Sequence, residues 1–172
     1  MRIFIAINLP KEIKDYLWEL KEEFRGLGKI NFTAKSRYHI TLKFLGEVKE
    51  GILEEIKEKL SKVKFNSFET SLNELGHFNH NVLWINVKPN EEVLSLSKRI
   101  DEMVIEFPNP HDFSYHITLG KIKSLKNKKK FEEKLKMDIK KLKFKVNSFE
   151  LMKSTLSKDG AKYESLEIYN LQ

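Results

Sequence analysis

The tetrapeptide His-Ile-Thr-Leu occurs twice, at 39–42 and at 116–119. Histidine is the side chain whose ordinary pKa lets it give or take a proton near neutrality. Two imidazoles facing one phosphodiester can serve as general base and general acid at once. A threonine hydroxyl beside each can donate to a non-bridging oxygen and stabilise the charge of a pentavalent transition state. His39, His116, Thr41 and Thr118 are therefore the candidate catalytic and phosphate-binding residues. This chemistry needs no metal and no cofactor, and no carboxylate cluster marks a two-metal site. The competing reading is two strand histidines with satisfied hydrogen bonds, which a repeated short motif alone leaves open.

Such a site needs strands, because alternate side chains of a strand share a face. In an extended chain His39 and Thr41 point one way, Ile40 and Leu42 the other, and the second copy behaves alike. Each copy continues into a glycine, Gly46 or Gly120. Arg37 and Lys43 have the parity of His39 and are expected to face the same cleft. Strict alternation sends Phe44 and Lys121 to the opposite face unless a twist or bulge intervenes.

The rest of the chain supplies supports for these strands. Residues 2–8 are β-branched and apolar, as in a buried strand. Pro10 opens a helix striped by Ile13, Leu17, Leu20 and Phe24, and Gly26 and Gly28 close it. A second helix is expected over 52–63 and a strand pair over 65–78 and 82–87, with turn chemistry at Asn79-His80-Asn81. Asn90 is placed to cap a third helix. A strand over 113–122 follows Pro108-Asn109-Pro110, then a short helix over 128–137. Strands at 144–156 and 163–169 close the chain, joined by Lys158-Asp159-Gly160. Trp18 and Trp84 fall in periodic segments and are expected in the core. Strands and helices without regular βαβ alternation predict an α+β fold with antiparallel sheets. Strand, helix and strand pair recur around each motif, so the chain reads as a duplication.

The 172 residues suit one domain over 1–172 with a real core. The absence of cysteine excludes disulfides, thiol nucleophiles and cysteine-ligated zinc. The apolar start is too short for a signal peptide or membrane span, so a cytoplasmic protein with no membrane contact is expected, by default a monomer. A net charge of +7 suits a polyanionic partner such as nucleic acid, or a lysine-rich, heat-adapted surface. Lys126, Lys128, Lys129 and Lys130 form a basic run that reads as a solvated face or an RNA-backbone contact. His77 and His80, with His111, could suggest zinc. No acidic or cysteine partner has ligand spacing, so no metal site is expected there.

The two motifs, HITLKFLGE and HITLGK, resemble the signature of the two-histidine (2H) phosphoesterase superfamily. The fuller likeness is to its RNA 2′,3′-cyclic phosphodiesterase, or 2′-5′ RNA ligase, branch. It extends to RIFIAI, ELGHFNHNVLWINV and KSTLSKDGAKYESL. The resemblance implies two similar lobes around a central cleft, each an antiparallel sheet with outer helices and one motif. It implies His39 and His116 as the catalytic pair, with His116 as base and His39 as acid, and Thr41 and Thr118 as holders of the phosphate. Phe44 matches an aromatic that stacks on a base, and Lys121 stands where the family has arginine, which costs a planar two-pronged grip. The implied partner is RNA with 2′,3′-cyclic phosphate ends, tRNA fragments among them. The implied reaction is hydrolysis to a 2′-phosphate, with the related 2′-5′ ligation. The alternative from another class is a non-catalytic RNA- or nucleotide-binding module on the same fold.

Overall fold

The computed structural model describes residues 1–109 and 114–172. Pro110, His111 and the first residue of the strand expected over 113–122 lie outside the described residues. The chain runs β1 (Arg2–Asn8), α1 (Lys11–Leu20), β2 (Gly28–Phe32), β3 (His39–Glu47), α2 (Leu53–Ser61), β4 (Phe68–Phe78), β5 (Val82–Lys88) and α3 (Glu91–Met103). It continues with β6 (Ile117–Leu125), α4 (Lys128–Leu135), β7 (Lys143–Val146), β8 (Ser148–Ser157) and β9 (Gly160–Asn170). The fold is α+β, with a curled antiparallel sheet and four helices.

The expected pair of separate sheets is in fact one nine-stranded sheet, ordered β7-β4-β5-β6-β3-β1-β8-β9, with β2 also on β6. The order is symmetric about the β6–β3 junction, where the two motif strands meet. Their ladder there is a single antiparallel residue pair, Ile40 with Ile117. Both isoleucines are fully buried, which stabilises the junction by about 1.5–3 kcal/mol each. The two sides are not the two halves of the sequence. The β4–β5 hairpin lies on the side of β6, and β8 returns from the second half to pair with β1.

Periodicity explains most elements. Ile13, Leu17 and Leu20 of α1, Ile56 and Leu60 of α2, and Val93, Leu96 and Ile100 of α3 are the buried apolar residues of these three helices. They join Ile3, Ile5 and Ile7 of β1 in one hydrophobic cluster. The helix after Pro10 ends at Leu20 and tightens into a 3₁₀ turn through Phe24. Among the described residues no helix is long and apolar enough to cross a membrane.

Several expectations need correction. β2 lies where the sequence shows only the glycines that close a helix. Asn90 precedes α3 without a side-chain cap, whereas Asn127 caps α4 by accepting from the Lys130 N–H at 3.0 Å. The single strand expected over 144–156 is two, β7 and β8, which pair with different strands, β4 and β1. Trp18 is exposed, with the Lys21 ammonium 3.7 Å from its ring centroid. Trp84 is only partly buried and lies on Gly76, where any Cβ would come within 2.3 Å of the ring.

Candidate active site

The motif strands are not regular, and their irregularity is shared. Along β3, Thr41 pairs with Ala6 and Lys43 with Ile5, so Leu42 is an extra residue in the ladder. Along β6, Thr118 pairs with Trp84 and Gly120 with Leu83, so Leu119 is extra in the same way. Each motif thus bulges at its leucine, the third residue after its histidine. A bulge adds one residue and inverts the alternation beyond it. Phe44 and Lys121, each five residues after a histidine, are thereby returned to the histidine face. Phe4 demonstrates this for Phe44, since its ring lies 5.2 Å from His39 and 6.2 Å from Phe44. Lys121 pairs with Val82, two residues from Trp84, and is exposed.

The same inversion overturns the expectation for Lys43. Its side chain turns under the sheet, is 2% exposed, and bonds Asp101 Oδ1 of α3 at 2.6 Å. It is not a cleft residue. At the equivalent place in β6 stands Gly120, where a Cβ would come within 2.9 Å of Ile30 in β2. Arg37 also serves the scaffold with its side chain. Nη1 donates to the Ala161 carbonyl at 2.8 Å and so holds the start of β9.

The remaining four residues meet at the junction. The Ile40–Ile117 pair sets His39 across from Thr118, and Thr41 across from His116. Both imidazoles are held in one tautomer. His39 Nδ1 donates to the Arg37 carbonyl at 2.7 Å, and His116 Nδ1 to the Ser114 carbonyl at 2.8 Å. A carbonyl only accepts, so in each neutral ring Nε2 is the free acceptor. At His39 this acceptor takes the Thr41 hydroxyl at 2.9 Å. Burial is the main cause lowering both imidazoles below their ordinary pKa. The carbonyl bonds oppose it, and His116 and Lys14 add repulsion at His39.

Aromatic rings fix the histidines from the side. His39 lies 5.4 Å from Tyr163, edge to face, as well as against Phe4. His116 lies 4.9 Å from Phe78, also edge to face. Phe4, Tyr163 and Phe78 were not singled out from sequence. Tyr163 belongs to the strand after the Lys158-Asp159-Gly160 turn, and pairing of β9 with β8 and β8 with β1 carries it to His39. That long-range pairing leaves no local signal.

His77 and His80 do acquire a carboxylate, contrary to the reading from spacing. Glu132 of α4 places Oε1 at 2.8 Å from His77 Nε2 and 2.7 Å from His80 Nε2. These three could in principle hold a metal ion. The His80 backbone N–H, however, donates to His77 Nδ1 at 3.1 Å. A neutral His77 must then carry its proton on Nε2, where it bonds Glu132. A metal at that nitrogen would require an anionic ring or a broken bond. The group is accounted for as a tie between α4 and the β4–β5 hairpin.

A family model for the 2′-5′ RNA ligase superfamily matches residues 13–157. The chain belongs to that superfamily. An RNA 2′,3′-cyclic phosphodiesterase of Methanocaldococcus jannaschii is 34% identical over 176 aligned residues, covering 97% of this chain and 99% of the relative. One from Thermotoga maritima is 31% identical, covering 96% and 93%. This membership makes the chain a phosphodiesterase-type enzyme. Among solved structures, the TT0787 protein of Thermus thermophilus superposes with a TM-score of 0.84 at 24% identity, over 99% of this chain and 97% of that one. Apo LigT of E. coli gives 0.81 at 22%, over 99% and 96%. These two likenesses speak for the fold alone.

Proposed function

We propose that this enzyme opens RNA 2′,3′-cyclic phosphate ends to 2′-phosphates without a metal, using His39 and His116 as a proton-transfer pair. The observation that carries this reading is the matched tautomer. Both Nδ1 atoms are spent on carbonyls two residues back, so the two Nε2 atoms are the ones able to exchange protons with substrate, each motif adding a threonine, with Thr41 already on His39 Nε2. The relatives named RNA 2′,3′-cyclic phosphodiesterase support the substrate class. Thr41 and Thr118 hold the non-bridging oxygens, Phe44 offers an exposed ring to a base, and Lys121 offers charge to the phosphate backbone.

In the reaction, His116 Nε2 takes a proton from water as its oxygen attacks phosphorus in line with the 3′ oxygen. The bond from phosphorus to the 3′ oxygen breaks, and protonated His39 gives its Nε2 proton to that oxygen. A 5′-hydroxyl in place of water makes a 2′-5′ linkage by the same steps. The site lies within one functional unit over 1–172, acting as a cytoplasmic monomer.

The test is turnover of a 2′,3′-cyclic nucleotide with and without EDTA, for the protein and for His39→Ala and His116→Ala. Each substitution should cost about 10²–10⁴-fold, and the double variant far less than the product of the two. EDTA should change nothing, and the product should co-migrate with a 2′-nucleotide. Tight binding of the nucleotide with no turnover would favour the non-catalytic binding module instead.

A further inference from the structure

Ser97 of α3 is fully buried and joins the two motifs. Its hydroxyl donates to the Leu42 carbonyl at 2.8 Å and accepts from the Tyr115 hydroxyl at 2.7 Å. Leu42 is the bulged residue of the first motif, and Tyr115 immediately precedes His116. Burial raises the Tyr115 hydroxyl above its ordinary pKa, which keeps it a donor. One helical turn on, Asp101 receives Lys43, the residue after the bulge, at 2.6 Å. Both of its carboxylate oxygens also accept from Asn109 Nδ2, at 2.9 and 2.8 Å. One face of α3 therefore grips both bulge residues of β3 and two residues of the approach to His116.

The sheet joins the two motif strands only narrowly. β3 and β6 share a single residue pair, and beyond it the strands take other partners. A second restraint on the spacing of the two imidazoles matters for rate, because a displacement of about 1 Å at a reacting group can cost about 10²-fold. We propose that Ser97 and Tyr115 are positioning residues that hold His116 in place relative to His39 through the Leu42 carbonyl, with Asp101 as a second anchor. This rests on the catalytic reading of His116.

Tyr115→Phe tests it, because it removes one hydroxyl and leaves the ring and the Ser97–Leu42 bond. Turnover should fall about 10–100-fold while KM stays within about twofold. A looser His116 gains water, so the pH limb it sets in kcat/KM should move to higher pH. In a His116→Ala background, Tyr115→Phe should have no further effect. Ser97→Ala should act in the same direction. If it does not fold, Tyr115→Phe still decides. An unchanged kcat and pH profile in Tyr115→Phe, beside an inactive His116→Ala, would overturn this inference alone. So would an equal loss in the His116→Ala background, which would mark a general structural role. Full turnover by His116→Ala would overturn the catalytic reading and this inference with it.

Discussion

Thr41 and Thr118 occupy the same place in their motifs but differ in what they touch, so replacing each by valine should have different consequences. The Thr41 hydroxyl donates to His39 Nε2 at 2.9 Å. Among the described residues the Thr118 hydroxyl makes no such bond with His116. A typical hydrogen bond contributes about 0.5–1.5 kcal/mol net. For a domain of this size each kcal/mol moves the melting temperature by about 2–4 °C. Thr41→Val should therefore melt lower by about 1–6 °C, and Thr118→Val should stay within about 0.5 kcal/mol of the parent. The hydroxyl on His39 also favours the neutral ring, since it donates to the lone pair that a proton would take. Removing it should raise the His39 pKa and shift one limb of the kcat/KM profile to higher pH, in Thr41→Val only. Both variants should lose about 10–10³-fold in turnover, by analogy with oxyanion donors. Thermal melts and pH profiles on a cyclic nucleotide measure all three quantities. Equal melting shifts and equal pH shifts in the two variants would refute the asymmetry, and intact turnover in both would assign the hydroxyls to packing.

Two further outcomes follow from buried charge. Lys43→Met keeps the stem and removes the ammonium; breaking a fully buried pair costs about 3–5 kcal/mol, but Asp101 is 35% exposed, so about 1–3 kcal/mol is expected in a urea titration. An unchanged midpoint with a raised KM would instead return Lys43 to the cleft. His39 and His116 have folded pKa values below their ordinary value, so the unfolded chain binds more protons as pH falls through about 6.5. Their contribution to stability is complete above that value and is lost as pH drops toward the folded pKa. The parent should thus lose more stability between pH 7 and pH 5 than His39→Ala or His116→Ala does, and equal slopes in thermal melts would contradict it.

What was legible in the sequence is what depends on local order. The motif strands, the helix stripes and the β4–β5 hairpin follow from periods of 2 and 3.6 and from turn residues. The bulges do not, because a bulge is a property of a strand pair and HITL carries no mark of it. Counting parity along one chain placed Lys43 in the cleft and Phe44 outside it, and the structure exchanges them. The split at Asn147 is hidden for a related reason. Phe144 and Val146 before it, and Phe149 and Leu151 after it, continue one apolar run, yet they belong to strands paired with different partners. Glu132 beside His77 and His80, and Tyr163 beside His39, are likewise brought together by folding across long stretches of chain.

The near symmetry of the site raises the question of what assigns acid and base, since the two motifs share tautomer, bulge and threonine. Besides the repulsion from His116 and Lys14, His39 differs by a bond from the Thr41 hydroxyl. Burial is the main cause that lowers the His39 pKa, and in the neutral ring Nε2 accepts from the Thr41 hydroxyl. A cyclic phosphate carries a negative charge, and its non-bridging oxygen competes for the Thr41 hydroxyl. In the proposed reaction, a Thr41 hydroxyl that turned to the phosphate would free the His39 Nε2 lone pair beside an anion, and both changes raise proton affinity. His116 gains only the anion. In the proposed reaction, binding would thus favour protonation of His39, the acid, over His116, the base. On this argument the order of events, rather than the motif, breaks the symmetry, and the acid is made by the substrate it will protonate.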